Sequence, residues 1–419
     1  MFCGRYRRYG GRINAGQGKF GVEIGDMRTI VHLDMNSYFA SAEQQANPYL
    51  RGKPVGIVKA EGRGCIIAAS AEAKKYGIQT GTTVWESTRL CSSILLVPAN
   101  MEKYFSLTQR LIRIAEDYSP IVEVFSIDEM FLDVSEVLPQ YGGGAWEIAL
   151  RLKEDIRENL GEWMRCSVGI SFNKISAKLA SEMQKPDGLT FLTTNDYLEK
   201  TESVAVEKVC GIGRSRTQWL LSRGIFSLGQ ARKFRLPAEL ESLVWLQGTD
   251  ELVTGWKLPS AKSVSRTYTA FKDIWRGEEV KKLVRNLVEE AAGKLREMKM
   301  AGRTISLALS SVTGGSFWAR KTGKDPINDP STIFTLLWKE YEGRPLLPVR
   351  FAGVGVSNLG FNFQLPIFKQ KQELLKAADE VNQRFGGFTL YPARLLGGEL
   401  IRPEVTGFFG DKWYQLKIR

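Results

Sequence analysis

Two adjacent carboxylates, Asp128 and Glu129, stand inside the otherwise apolar stretch Phe125–Asp133. Apolar residues on both sides of the pair predict a short buried strand or hairpin. A buried charge is costly unless it is paired or binds a metal, and a divalent cation is the usual partner of hard carboxylate oxygens. The alternative is a hairpin tip with solvated acids, and the pair alone does not separate the two interpretations.

A second stretch, Thr29–Leu33, predicts a short strand that ends in Asp34. A turn into a helix follows, with Ser37 as a plausible cap. His32, the single histidine, is interpreted as a core or interface residue. If this strand neighbours the first stretch, three carboxylates converge, which is the ligand set of a two-magnesium phosphoryl-transfer site.

The two motifs together, residues 34–39 (Asp-Met-Asn-Ser-Tyr-Phe) and 126–129 (Ser-Ile-Asp-Glu), resemble those of the Y-family, the translesion DNA polymerases. The resemblance covers the chain from about residue 27 to about residue 394. It implies an α+β multidomain fold of the right-hand type, with palm, fingers, a helix-hairpin-helix thumb and a β-α-β-β-α-β little finger. The implied function is low-fidelity, template-directed DNA synthesis that inserts deoxynucleotides opposite damaged template bases.

The resemblance also implies the catalytic groups. Asp34, Asp128 and Glu129 would be the catalytic carboxylates. They would hold two Mg²⁺ ions together with the main-chain carbonyl of Met35.

Nucleotide contacts follow from the same resemblance. Ser37, Tyr38 and Phe39 would face the incoming nucleotide, with the Phe39 ring as a steric gate that excludes a 2′-hydroxyl. The alternative for Phe39 is a core aromatic, because Tyr38 and Phe39 begin a helix. Lys178 corresponds to a lysine that reaches the triphosphate. Lys74 stands where many relatives carry an arginine, so it can supply a point charge without the planar fork of a guanidinium.

Three positions bear on substrate preference and subfamily. Ala71 stands where many relatives carry a tyrosine, which predicts weaker nucleotide binding unless another group compensates. Asn36 replaces a third aspartate, as it does in relatives of the polymerase V catalytic subunit. Ile67 would lie over the nascent base pair or in the core. The choice between the polymerase IV and polymerase V subfamilies stays open.

Four residues are candidate DNA contacts. Gly211, Gly213 and Arg214 resemble the turn of a helix-hairpin-helix, where glycines let backbone N–H groups approach a phosphate. Arg266, on a predicted little-finger strand, would face DNA phosphate. The alternatives are a glycine-rich turn without a ligand and a charge at an exposed sheet edge.

A short peptide, Gln364 and Leu365 followed by Ile367 and Phe368, looks like the segment by which bacterial polymerases dock on the sliding clamp. The alternative is apolar packing against the polymerase core. The expected partners are therefore primer–template DNA, deoxynucleoside triphosphates and a sliding clamp.

The motifs, together with the turn and linker residues between them, predict a division into domains. The palm is further predicted to be a sheet with helices on one face. The predicted domains are a disordered basic extension at 1–26, palm at 27–37 and 99–190, fingers at 38–98, thumb at 191–256, a linker at 257–264, little finger at 265–358 and a C-terminal tail at 359–419.

Composition limits the remaining possibilities. The formal net charge of +12 indicates a polyanionic partner. Five unpatterned cysteines argue against a zinc site and fit a reducing cytoplasm. No apolar run is long enough for a membrane span, so we expect a cytoplasmic monomer without membrane contact. Residues 1–26 are either a nucleic-acid-binding arm or an upstream extension of a chain that starts at residue 27.

Two other function classes compete with the polymerase. A catalytically inactive DNA-binding or replisome module could keep the fold, but the intact carboxylates Asp34, Asp128 and Glu129 argue against it. Another two-metal nucleotidyl enzyme on a similar palm is disfavoured by the thumb and little-finger motifs.

Overall fold

The computed structural model describes residues 28–60, 63–253, 261–344, 348–361 and 369–396. The extension at 1–26 and the clamp-type peptide at 364–368 lie outside these ranges. Within them, no helix is long and apolar enough to cross a membrane. The elements follow in chain order as β1 (Ile30–Met35), α1 (Tyr38–Ala46), β2 (Val55–Ala60), β3 (Arg63–Ala69), α2 (Ala71–Lys74), α3 (Val84–Leu90), β4 (Leu95–Pro98), α4 (Met101–Glu116), β5 (Ile121–Val124), β6 (Glu129–Asp133), α5 (Gly144–Leu160), β7 (Cys166–Ser171), α6 (Lys174–Met183), β8 (Leu189–Phe191), α7 (Tyr197–Lys200), α8 (Arg214–Leu221), α9 (Leu228–Ala231), α10 (Ala238–Val244), β9 (Ser263–Ile274), α11 (Gly277–Glu297), β10 (Ala301–Ser310), β11 (Ser316–Ile327), α12 (Pro330–Tyr341), β12 (Val349–Gly360) and α13 (Lys369–Phe385).

The palm is a five-stranded sheet with the order β5-β6-β1-β7-β8. β1 lies in the middle and pairs antiparallel with both β6 and β7. Because β1 is covered on both faces, its apolar residues are almost continuous rather than alternating.

Helices cover both faces of this sheet, so the prediction of helices on one face is wrong. Val31 and Leu33 pack in the core with α4 and α5. Ile30 and Phe131 point the other way and pack against Ala177 of α6. A Cβ on Gly169 of β7 would lie 2.1 Å from the Ala177 carbonyl oxygen, so glycine permits this close approach of α6.

The fingers contain a three-stranded sheet with the order β3-β2-β4 and its own small core. α2 begins directly after β3, and the hydroxyl of Ser70 caps it by accepting from the Ala73 N–H. This turn places the start of α2 on the side of the fingers that faces the palm.

The thumb is a set of short helices, α7 to α10, around an apolar cluster that includes Leu220 and Leu240. The little finger follows in the order β-α-β-β-α-β, which confirms the predicted order. Its sheet has the strand order β11-β10-β12-β9, and β9 begins at Ser263, inside the predicted linker.

Helix α11 of the little finger contacts the C-terminal helix α13. Val280, Val284 and Ala291 form its buried stripe at helical spacing over the sheet. On another side of α11, Arg296 binds Asp379 of α13 through two hydrogen bonds of 2.6 and 2.7 Å. α13 is therefore attached to the little finger by a bidentate ion pair.

Candidate active site

The three predicted carboxylates come together because of the strand register. Asp34 of β1 is the direct partner of Glu129 of β6, and Asp128 immediately precedes β6. The Met35 N–H donates to the Asp128 carbonyl oxygen over 2.9 Å, which fixes the turn against the end of β1. The register thus places Asp34, Asp128 and Glu129 near one end of β1 and β6, and their role as a shared metal-ligand set stays a prediction.

Two lysines neutralise part of this charge. Lys185 Nζ lies 2.8 Å from Asp34 Oδ1 and also pairs with Glu182. Lys178, on α6, pairs with Glu129. As they stand, no three His, Cys, Asp or Glu side chains within the described ranges are grouped to hold a metal ion.

Burial and the neighbouring charges shift the pKa values of the carboxyl groups. Burial, together with the negative charges of Asp34 and Glu129, raises the pKa of Asp128 to about 6. Burial also raises the pKa of Asp34, and the ion pair with Lys185 offsets only part of that effect. For Glu129, burial acts in the same direction, but the contacts with His32 and Lys178 outweigh it and lower its pKa to about 2.

His32 lies beneath the carboxylates. It is fully buried, as expected, but its Nε2 lies 3.4 Å from Glu129 Oε2. Its Nδ1 is 2.8 Å from Ser181 Oγ on α6, and burial lowers the pKa of the imidazole. The sequence offered one signal of this contact, because His32 and Asp34 are two residues apart and so share a strand face.

A cleft of about 710 Å³ opens beside the carboxylates, between the palm and the fingers. This volume is typical of small-molecule sites. We refer to it as the substrate cleft. It is lined by Asp34, Met35, Asn36, Ser37, Tyr38, Phe39, Ile67, Ala68, Ala69, Ala71, Lys74, Lys75, Thr80, Asp128, Lys185 and Pro186.

The start of α1 forms one wall of the substrate cleft. Ser37 occupies the N-cap position with φ 50° and ψ 41°, but its side chain makes no capping hydrogen bond, contrary to expectation. The Tyr38 hydroxyl donates into the core, to the Tyr104 carbonyl oxygen over 2.8 Å. The main chain of the first helical turn, at the positive end of the helix dipole, is thus what this wall offers an anion.

Phe39 lies at the boundary between the substrate cleft and the core. Its side chain is 3 % exposed, and its ring stacks on Tyr104 with centroids 4.2 Å apart and planes at 11°. The two interpretations of Phe39, a gate and a core aromatic, are therefore compatible in one position.

Three lysines add positive charge to the lining of the substrate cleft. Lys74 is the last residue of α2, Lys75 follows it, and Lys185 comes from the loop after α6. Partial desolvation and the nearby Lys185 lower the pKa of Lys74. Ala71, the first residue of α2, lines the cleft without a polar group, and the lysines supply the positive charge near it.

Comparison with known proteins identifies the family. Residues 33–182 match the impB/mucB/samB family, and residues 261–372 match its C-terminal domain. DNA polymerase IV of Pelotomaculum thermopropionicum is 33 % identical over 88 % of this chain and 98 % of that protein. DNA polymerase IV of Acetivibrio thermocellus is 31 % identical over the same shares. The chain belongs to the impB/mucB/samB family of Y-family DNA polymerases.

Solved structures agree on the fold. A Y-family polymerase chimera of Dbh and Dpo4 matches with a TM-score of 0.65 at 22 % identity, over 80 % of this chain and all of the other. An insertion ternary complex of Dbh DNA polymerase matches over the same shares with a TM-score of 0.50 at 22 % identity. The right-hand, Y-family fold expected from the sequence is confirmed. As a family member, the chain is a DNA-directed DNA polymerase that acts in translesion synthesis.

The lysines of this Y-family polymerase do not all lie where they were expected. Lys178 is held beside Glu129, with its Nζ also 5.3 Å from the centroid of the Phe125 ring, and does not line the substrate cleft. Lys185, which was assigned no role, lines the substrate cleft and contacts Asp34. The triphosphate role expected of Lys178 stays a prediction, and the position of Lys185 in the substrate cleft makes Lys185 a second candidate for that role.

Asn36 holds the loop that carries Lys185. Its Nδ2 donates to Ser167 Oγ over 2.9 Å, and its Oδ1 accepts from the Asp187 N–H over 2.6 Å. The amide thus connects β1, β7 and the Lys185 loop.

The thumb hairpin keeps the predicted turn, although its first helix is reduced to a 3-10 turn at 206–208. Gly211 adopts φ 98°, which favours glycine, and Gly213 caps α8 in open space. Arg214 is exposed at the first position of α8. Arg216, missed in the sequence, donates to the Gly211 carbonyl oxygen over 2.9 Å and holds the turn.

Arg266 does not face solvent. It is 9 % exposed on the inner face of β9, and its Nε lies 3.7 Å from Glu290 of α11. The interpretation as a DNA contact is wrong for this position, since Val264 and Ala270 share the same buried face.

Proposed function

We propose that Asp34, Asp128 and Glu129, with the main-chain carbonyl of Met35, hold two Mg²⁺ ions beside the substrate cleft. The observation that carries the proposal is the direct pairing of Asp34 with Glu129, with Asp128 one residue before. All side-chain donors are hard carboxylate oxygens. Burial, together with the negative charges of Asp34 and Glu129, raises the pKa of Asp128 to about 6, and bound cations would offset the part that comes from those charges.

When bound, the ions supply activation of the primer 3′-hydroxyl and stabilisation of the charge on the triphosphate and leaving pyrophosphate. The residues of the chain position the substrates. The first turn of α1 and the lysines Lys74, Lys75 and Lys185 bind the triphosphate between them, and positioning supplies much of the rate. Lys178 holds Glu129 in place.

Phe39 is the steric gate of this proposal. It lines the substrate cleft one helical turn beyond the end of β1, where a ring can lie against the sugar. Ile67 and Ala68 line the fingers side, where small and apolar side chains leave room for a base pair.

DNA is held electrostatically. The Gly211–Arg214 turn presents main-chain N–H groups and a guanidinium to a phosphate at the start of α8. The net charge of +12 supports binding that depends on counterion release.

The remaining parts of the proposal concern partners and place of action. Residues Gln364, Leu365, Ile367 and Phe368 bind the sliding clamp, with the apolar side chains as anchors. The polymerase acts in the cytoplasm as a monomer.

A primer-extension assay on damaged and undamaged templates tests the metal site. Asp128→Ala and Glu129→Ala should each abolish Mg²⁺-dependent extension and leave primer–template binding, measured in the same buffer, close to wild type. Extension near the wild-type rate by both variants would remove the metal-site assignment.

A further inference from the structure

The gate residue Phe39 is backed by a side chain that does not line the substrate cleft. Tyr104 of α4 is fully buried and stacks on Phe39 with ring centroids 4.2 Å apart and planes at 11°. Its position behind the gate means that Phe39 moves away from the sugar only if Tyr104 moves as well.

Tyr104 is itself fixed at its far end. Its hydroxyl donates to Glu43 Oε1 over 2.8 Å, and Lys103 Nζ lies 2.7 Å from Glu43 Oε2. Glu43 is 6 % exposed, so its hydrogen bond with Tyr104 is sheltered from water, whereas Lys103 is partly exposed.

The spacing on α1 makes the arrangement rigid. Phe39 and Glu43 are four residues apart and therefore lie on one face of the helix. Tyr104 spans both of them, with its ring on Phe39 and its hydroxyl on Glu43. The main chain of Tyr104 is also held, because its carbonyl oxygen accepts from Tyr38.

Rigidity matters for sugar selection. A hydrophobic pocket discriminates against a ligand that only adds a hydroxyl by about a hundredfold. A gate ring must keep its position when a 2′-hydroxyl presses on it, and what stands behind the ring decides whether it does.

We propose that Tyr104, anchored by Glu43 and Lys103, is a positioning residue that sets the exclusion of ribonucleotides by holding Phe39 against the sugar. The inference rests on the proposed role of Phe39 as the gate. Tyr104 acts through Phe39 and does not touch the nucleotide.

The test measures kcat/KM for a matched ribonucleotide and deoxyribonucleotide, and takes their ratio. Tyr104→Leu should raise relative ribonucleotide use by about tenfold or more. Tyr104→Phe keeps the stack and loses only the bond to Glu43, so it should give a smaller rise of about two- to threefold. We expect neither rise to exceed the roughly hundredfold discrimination that a hydrophobic pocket shows against an added hydroxyl.

Tyr118→Phe is the matched control. Tyr118, just beyond α4, is 7 % exposed, and its hydroxyl donates to Asp155 Oδ2 over 2.6 Å, so the variant also removes a hydroxyl-to-carboxylate bond, partly buried and away from the substrate cleft. Its ratio should equal that of wild type, even if its melting temperature falls as far as that of Tyr104→Phe.

Phe39→Ala separates the two proposals. If it raises the ratio and both Tyr104 variants leave it unchanged, the backing role is overturned and the gate stands. If Phe39→Ala leaves the ratio unchanged, the gate assignment fails, and any effect of Tyr104 then contradicts the inference as well. An equal rise in Tyr118→Phe and Tyr104→Phe would also overturn it, because the effect would then be general loosening.

Discussion

Asp34 and Glu129 face each other across β1 and β6, yet each carboxylate is held by a different lysine. Lys185 reaches Asp34 from the loop after α6, whereas Lys178 reaches Glu129 from within α6. Asp128 has no lysine partner among the described ion pairs, and its pKa is the one raised to about 6. Asp128 and Glu129 are adjacent in the chain, yet ionised Asp128 destabilises the fold whereas ionised Glu129 stabilises it.

This contrast predicts opposite changes in stability. Ionised Asp128 destabilises the metal-free fold at neutral pH, so Asp128→Asn should raise the free energy of unfolding by up to about 3 kcal/mol. Glu129 has a pKa lowered to about 2, so Glu129→Gln should reduce the free energy of unfolding by up to about 3 kcal/mol. Denaturant unfolding with a chelator at pH 7.5 measures both. A lower stability for Asp128→Asn would contradict the charge assignment.

The pH dependence follows from the sign of the shift. The pKa of Asp128 is higher in the folded than in the unfolded chain, so its penalty is full above about pH 6 and is lost as the pH falls toward the ordinary aspartate pKa of 3.8. The stability difference between wild type and Asp128→Asn should therefore shrink between about pH 7 and pH 4. Unfolding curves of the two proteins across this range provide the check, and a constant difference would contradict the predicted titration.

The two lysines should differ in their kinetic effects. Lys185→Ala should raise KM for the incoming nucleotide by about tenfold or more, because Lys185 lines the substrate cleft and a lost charge-assisted contact is worth about 1.5–3 kcal/mol. Lys178→Ala should leave that KM within about threefold and lower kcat through Glu129. Steady-state single-nucleotide incorporation separates them. The reverse pattern would return the triphosphate role to Lys178.

Two arginines should differ in their effect on DNA binding. Arg214→Ala should reduce the slope of log K against log salt by about 0.9, the value for one phosphate contact. Arg266→Ala should leave the slope unchanged and lower the melting temperature, since Glu290 loses its buried partner. Salt titrations by fluorescence anisotropy measure the slope. A reduced slope for Arg266→Ala would restore it as a DNA contact.

The clamp-type peptide is tested with a double variant. Leu365→Ala with Phe368→Ala should keep its melting temperature and distributive extension, yet lose stimulation by a loaded sliding clamp. The control is Leu374→Ala with Phe385→Ala on α13, where the side chains are 72 % and 65 % exposed. Full stimulation of the first variant, or loss of its stability, would assign the peptide to the polymerase core.

The sequence indicated the two strands beside Asp34 and Glu129, because apolar runs of strand length are visible in it, but the register that pairs these residues is seen only in the structure. Strand alternation should have placed Arg266 inside, since Val264 and Ala270 flank it at even spacing. Lys185 was harder to predict, because it follows the end of α6 and no periodicity places a loop residue. The second helical layer was missed because β1, buried on both faces, carries no alternation to reveal it.

The amide of Asn36 determines what an aspartate at this position would change. An aspartate would keep the acceptor for Asp187 and lose the amide donor to Ser167, and it would add a negative charge beside Asp34. The Ser167 hydroxyl can turn and donate to that carboxylate, so the connection to β7 survives the exchange. Position 36 therefore sets the electrostatic potential beside Asp34 while the fold around it stays connected.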